Sequence, residues 1–118
     1  MFDDNITQAY YDEIEPKFKI IDEDANYNPF SIEQQKRIVA FLNTAEKVLK
    51  DNPKQTSEIK ESIELINETK NNINISTKTK VIKNIRKIVA KGFKIGLHVG
   101  EKLLIEFTTE LTKKLLIG

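Results

Sequence analysis

Apolar residues recur along this chain with the period of a helix. Phe2, Ile6, Tyr10 and Ile14 fall every fourth residue, which predicts a short helix over 2–15 with one apolar face. Pro16 ends it, because proline lacks an amide donor and disfavours helical backbone in the residue before it. Residues 17–30 lack a period: Phe18, Ile20 and Ile21 make a small apolar cluster, and Asn26-Tyr27-Asn28-Pro29 has turn chemistry. Ser31-Ile32-Glu33-Gln34 then reads as a capping box, with the Ser31 hydroxyl accepting from the Gln34 amide and the Gln34 side chain reaching back. Ile38, Phe41, Leu42, Ala45, Val48 and Leu49 continue that helix as one stripe. Asp51-Asn52-Pro53 stops it, and places Asn52 as the cap and Pro53 as the first residue of the next helix.

The third helix carries Ile59, Ile63 and Ile66, with Ile73 extending the stripe, and a turn is expected within 70–77. A short link between the second and third helices predicts an antiparallel hairpin over 31–76. From Thr77 onward, Val81, Ile82, Ile85, Ile88, Val89, Phe93, Ile95, Leu97, Val99, Leu103, Leu104 and Phe107 share one broad face of a wheel. Lys83, Lys87, Lys91, Lys94, His98 and Glu101 share the other, and the pattern stays coherent for about seven turns. Arg86 intrudes on the apolar side, and Glu110 and Lys114 blur the pattern late. The fold expected is all-α: a single domain over 1–118 of three to five helices. Its hairpin is central, and a long amphipathic helix fills 77–118, either continuous or broken near residues 92–100.

Glycine bears on that last choice. Gly92, Gly96 and Gly100 are spaced by four on the apolar side of the wheel, although each costs a helix interior roughly 1 kcal/mol relative to alanine. Either they form a ridge against which a second helix, of this chain or of another copy, packs closely, or one of them ends the helix. A break at Gly92 would leave helices over 78–91 and about 97–116.

Charge adds a second asymmetry. The net charge of +1 hides a gradient: residues 1–24 carry eight acids against two lysines, 25–77 are balanced, and 78–118 carry ten bases against three acids. Residues 78–94 hold seven Lys or Arg and no acid, so Lys83, Lys87, Lys91 and Lys94 are candidates for an anionic surface. The first thirty residues hold six of the nine aromatics among eight acids. Tyr10, Tyr11, Asp12, Glu13, Phe18, Asp22, Glu23 and Asp24 are therefore candidates for gripping a basic partner surface. Two plainer readings stand beside these: the rings complete the core, and the acidic and basic ends neutralise one another.

Catalytic chemistry is sparse. His98 is the single histidine and falls on a polar face among lysines. Asp3/Asp4, Asp12/Glu13 and Asp22/Glu23/Asp24 lack the loop spacing of a calcium site, and no glycine precedes Gly92 to build a phosphate loop. No cofactor or metal is expected, and no enzymatic activity. Absence of cysteine and an acidic start with Asp3 and Asp4 lead to the expectation of a cytoplasmic protein without a signal peptide. The function expected is a non-enzymatic protein–protein interaction module of regulatory, inhibitor or immunity type, with homo-oligomerisation as one form of partnership. The alternative is a peripheral membrane protein that lays its basic C-terminal helix on lipid. A phosphate-backbone binder comes third, since Phe93, the lone aromatic of the basic stretch, lies on the apolar face and nucleic acid is not the expected partner.

Overall fold

The computed structural model describes residues 5–18 and 25–109. Among these are five α-helices, α1 (Asn5–Glu13), α2 (Ile32–Lys50), α3 (Ser57–Asn72), α4 (Lys78–Ile95) and α5 (Leu97–Phe107), with a 3-10 turn at Glu15–Phe18. No strand occurs among the described residues, and the fold is a small all-α bundle. Phe2, Ile20 and Ile21 of the apolar pattern, the acids Asp3, Asp4, Asp22, Glu23 and Asp24, and Glu110 and Lys114 lie outside the described residues.

Side-chain caps set three of the helix starts. At α2 the capping box is complete: the Gln34 amide donates to Ser31 Oγ at 3.2 Å, and the Ser31 amide donates to Gln34 Oε1 at 3.0 Å. The start of α3 departs from the sequence reading. Asn52 and Pro53 stay in the link, where Asn52 Oδ1 accepts from the Lys54 amide. Thr56 caps α3 instead, its hydroxyl accepting from the Ile59 amide. Gln55 holds the link by donating to the carbonyls of Leu49 and Lys50 at the end of α2 and of Asn52 beyond it. Thr77 caps α4 in the same way as Thr56 caps α3.

Packing runs in a ring. α2 lies against α3, α3 against α4, α4 against α5, and α5 returns to α2; α1 and the 3-10 turn cover the remaining side of α4. The central element is therefore α4, and the hairpin expected to be central forms one side of the ring. Burial says the same: Val81, Ile82, Asn84, Ile85, Ile88, Val89, Ala90 and Gly92 are all buried, too wide an arc for a helix with a single neighbour. α3 and α4 run antiparallel, since the α3 residues Thr69, Glu61 and Glu58 meet Asn84, Lys91 and Lys94 in turn. The Asn84 amide donates to Thr69 Oγ1 at 3.3 Å, so the buried polar pair between these helices is matched.

The C-terminal region is two helices. Its break lies at Gly96, not at Gly92, and the single helix of seven turns does not form. Gly96 has φ 179° and ψ 143°, an extended conformation that turns the chain between α4 and α5. Gly96 itself keeps both its backbone bonds there: its amide donates to the Gly92 carbonyl and its carbonyl accepts from the Gly100 amide, both at 3.0 Å. Of the residues expected on the apolar face in this region, Gly100, Leu103 and Phe107 are buried on α5, whereas Leu97, next to the turn, is 60% exposed.

Gly92 and Gly100 face one another across the α4–α5 crossing. A Cβ on Gly92 would meet Leu103 Cδ1 at 2.8 Å and Gly100 Cα at 3.4 Å. One on Gly100 would overlap the Phe93 ring and stand 2.7 Å from the Phe93 Cα. Gly96 has only Val99 Cγ2 near it, at 3.9 Å. The three glycines are thus two members of a close crossing and one corner, so Gly96 drops out of the expected ridge.

Substitution by alanine separates these roles. Gly100→Ala should cost roughly 1–3 kcal/mol in urea unfolding, because backbone must move to admit the methyl group. Gly92→Ala should cost less, since the Leu103 side chain can turn away. Gly96→Ala should stay within about 0.5 kcal/mol of the parent, because reduced unfolded-state entropy offsets a weaker helix N-cap.

Candidate functional site

The acidic, aromatic N-terminal segment is mostly spent inside the molecule. Tyr11 and Phe18 are buried, and Tyr10 is half-buried and stacks on Phe93 with ring centroids 4.9 Å apart. Phe18 stacks on Phe107 at 4.2 Å, and Phe41 meets the edge of the same ring at 5.9 Å. Tyr11 and Phe18 are thus core rings, and Tyr10 packs half-buried against the core, so these rings offer a partner little surface. Asp12 and Glu13 remain exposed, while Asp22, Glu23 and Asp24 lie outside the described residues.

Arg86, which interrupts the apolar side of the wheel, secures this segment. Its Nε donates to the Tyr11 carbonyl at 2.7 Å, its guanidinium carbon lies 3.6 Å from the Tyr11 ring centroid, and its Nη2 stands 4.0 Å from Asp12 Oδ1. A planar cation can serve a ring face and a carbonyl together, which an ammonium does poorly. The Tyr11 hydroxyl is held above the ordinary tyrosine value, chiefly by burial, with Arg86 pulling the other way. The signal in the sequence was there: a lone arginine on an apolar face calls for a partner on the neighbouring helix.

The structure divides the four candidate lysines of α4 into two pairs. Lys91 Nζ lies 3.1 Å from Glu61 Oε2, and Lys94 Nζ lies 3.4 Å from Glu58 Oε1, so both serve the α3–α4 contact. Glu58 is held below the ordinary carboxylate range by hydrogen bonds, first from its own backbone and then from Lys94. Further up α4 the pairing stops. Glu68 is the last acid of α3, and Asn71 and Asn72 follow it. Among the described residues, no carboxylate lies within 4 Å of Lys80, Lys83 or Lys87. These three fall at i, i+3 and i+7, so they stand in line on one side of the helix. Lys87 is held below the ordinary lysine value of 10.5, first by burial, then by Lys80 and Lys83, with Lys91 adding and Glu68 opposing.

A pair of exposed apolar side chains sits at the same end. The Thr79 amide donates to the Ala25 carbonyl at 2.9 Å, its hydroxyl bonds Asn26 Oδ1 at 2.7 Å, and the Lys78 amide donates to the Asn28 carbonyl at 3.0 Å. Segment 25–28 is thereby fixed to the start of α4, with Tyr27 79% exposed upon it. Ile75, in the turn that leads into α4, is 72% exposed. Sequence reasoning assigned Tyr27 to a turn and passed over Ile75; nothing local marks either as exposed, because exposure depends on where 25–28 docks.

Elsewhere, a cleft of about 260 Å³ between α2 and α5 is lined by Arg37, Ala40, Phe41, Thr44 and Glu106. His98 is exposed on α5. No group of three acids or histidines among the described residues is placed to hold a metal ion. No helix among them is long and apolar enough to cross a membrane.

The clamp and the lysine line yield opposite predictions. Arg86→Lys should lose about 1–2 kcal/mol of stability, and Arg86→Ala more, because the Tyr11 carbonyl loses a charged donor. Lys87→Gln should stabilise the protein by roughly 0.5 kcal/mol at neutral pH, since it removes two like-charge i,i+4 neighbours, Lys83 and Lys91. Sign follows from linkage: with its folded pKa below 10.5, Lys87 sheds its proton earlier in the folded state, so its cost is full at neutral pH and fades toward pH 10.5. The gain from Lys87→Gln should therefore shrink as urea unfolding is repeated at rising pH.

Compared with protein-family models, with curated proteins and with solved structures, the chain matches none.

Proposed function

We propose that this protein is a non-enzymatic protein–protein interaction module, of the kind that regulates or inhibits a partner by binding it. The supporting observation is Tyr27. Of the eight described aromatic residues, seven are buried or half-buried and Tyr27 alone stands 79% exposed. It is fixed in place, because the backbone on either side of it is hydrogen-bonded to the first turn of α4. A rigidly mounted tyrosine offers large contact area at little entropic cost, the usual make-up of an interface anchor. Ile75 adds apolar area at the same end of the bundle.

This reading is preferred to the membrane alternative on a specific ground. An amphipathic helix lies on lipid by inserting its apolar face. In α4 that face is the centre of the bundle, with Val81, Ile85, Ile88 and Val89 almost wholly buried, so it is not available to a bilayer while the fold is intact.

Affinity capture from native lysate, with Tyr27→Ala as the matched control, tests the proposal. Tyr27→Ala should unfold at the parent's urea midpoint within about 0.5 kcal/mol, as expected for an exposed side chain, and should lose a protein that the parent retains. Equal capture by both would remove Tyr27 from the interface and the proposal with it.

A further inference from the structure

The lysines of α4 and the acids of α3 form an antiparallel ladder that is complete at one end and open at the other. Glu58 meets Lys94 and Glu61 meets Lys91. Glu68 is the last carboxylate, and where the next would stand α3 carries Asn71 and Asn72. On α4, Lys87 lies level with the stretch from Glu64 to Glu68 while Lys83 and Lys80 continue beyond it, and no described carboxylate lies within 4 Å of any of the three. Charges in a row on one helix repel, and among the described residues Glu68 offsets part of that repulsion at Lys87. The adjacent helix terminus adds positive potential. Its amides are engaged, however: Lys78 to Asn28, Thr79 to Ala25 and Lys80 to the Thr77 hydroxyl. Lysine side chains alone are left to meet an anion.

We infer that Lys80, Lys83 and Lys87, bordered by Tyr27 and Ile75, form a docking surface for an acidic segment of a partner protein, a trans replacement for the acids that α3 lacks. The inference rests on the interaction-module reading and names the chemistry of the partner. Charge complementarity selects an acidic occupant, and the neighbouring tyrosine and isoleucine select one that also carries apolar side chains. Lys80 to Lys87 spans about 10 Å along the helix, two turns, the length of a short peptide. A bilayer or a nucleic-acid backbone is served less well. The other cations of α4 are engaged, Arg86 with Tyr11, Lys91 with Glu61, Lys94 with Glu58 and Lys78 over the Phe30 ring, which leaves a line too short for a phosphate lattice. The one exposed ring is a poor stacking platform.

The test titrates the full chain with a fluorescent peptide rich in glutamate and leucine. The same chain is then titrated with phosphatidylserine-containing vesicles and with mixed-sequence duplex DNA. Expected is peptide binding that weakens as salt rises, that falls about tenfold in Lys80→Gln/Lys83→Gln and in Lys83→Gln/Lys87→Gln, and that returns in Lys83→Arg/Lys87→Arg. The glutamine variants should at the same time melt at or above the parent temperature. Greater stability with weaker binding marks lysines kept for a ligand, and a purely structural role would not produce it. Unchanged peptide affinity in the glutamine variants overturns the inference, as does tighter binding to vesicles or DNA than to peptide, or salt-sensitive self-association in place of peptide binding. Loss of lysate capture in Tyr27→Ala with full capture by the lysine variants would overturn the acidic partner while leaving the interaction module standing.

Discussion

A helix enclosed on three sides has little freedom in where its polar residues go, and α4 is such a helix. With α3, α5 and α1 packed around it, the arc from Val81 through Val89 to Gly92 is buried, and its lysines are confined to the strip that remains. The close crossing with α5 depends on the absence of side chains at Gly92 and Gly100. The α3 contact depends on ion pairs at the rim and on the Asn84–Thr69 pair within. The seating of α1 depends on Arg86. Each neighbour is held by a different chemistry, all of it displayed by one segment of eighteen residues.

This placement explains why one cluster of lysines is opposed and another is not. α3 carries Glu58, Glu61 and Glu64 in its first two turns but Lys70, Asn71 and Asn72 in its last, so its complementarity to α4 fades along the shared axis. An intramolecular ladder with one open end differs from a lysine-rich surface in general: the closed end fixes the spacing and direction of the open one. Glu46, held below the ordinary carboxylate range by Lys50 and Lys70, shows what the α2 side does with similar residues when both signs are present.

Much of the architecture was legible in the chain because its signals are local. The Ser31 box and the stripes from Ile38 to Leu49 and from Ile59 to Ile66 each report on neighbours three or four residues away. What could not be read depends on distant partners. Thr56 rather than Asn52 caps α3, because Asn52 is taken up by the link. Gly96 ends α4 although Gly92 and Gly100 look the same in sequence; the choice is made by the crossing, which needs two of the three glycines facing each other. Tyr10, Tyr11 and Phe18 looked like anchors for a partner, yet their partners are Phe93, Arg86 and Phe107 of the same chain. The candidate site fared worse than the fold for the same reason: Lys83 and Lys87 differ from Lys91 and Lys94 only in what α3 sets opposite them.

The stack of Phe18 on Phe107 has a consequence for how the molecule is made. These rings are far apart in sequence, and Phe41 joins them from α2. During synthesis the early ring leaves the ribosome long before the ring that covers it, and α1 waits for Arg86. A nascent chain that has not yet made α5 holds an unfinished interior in which Phe18 and Phe41 lack Phe107, so this bundle closes only after residue 107 has emerged.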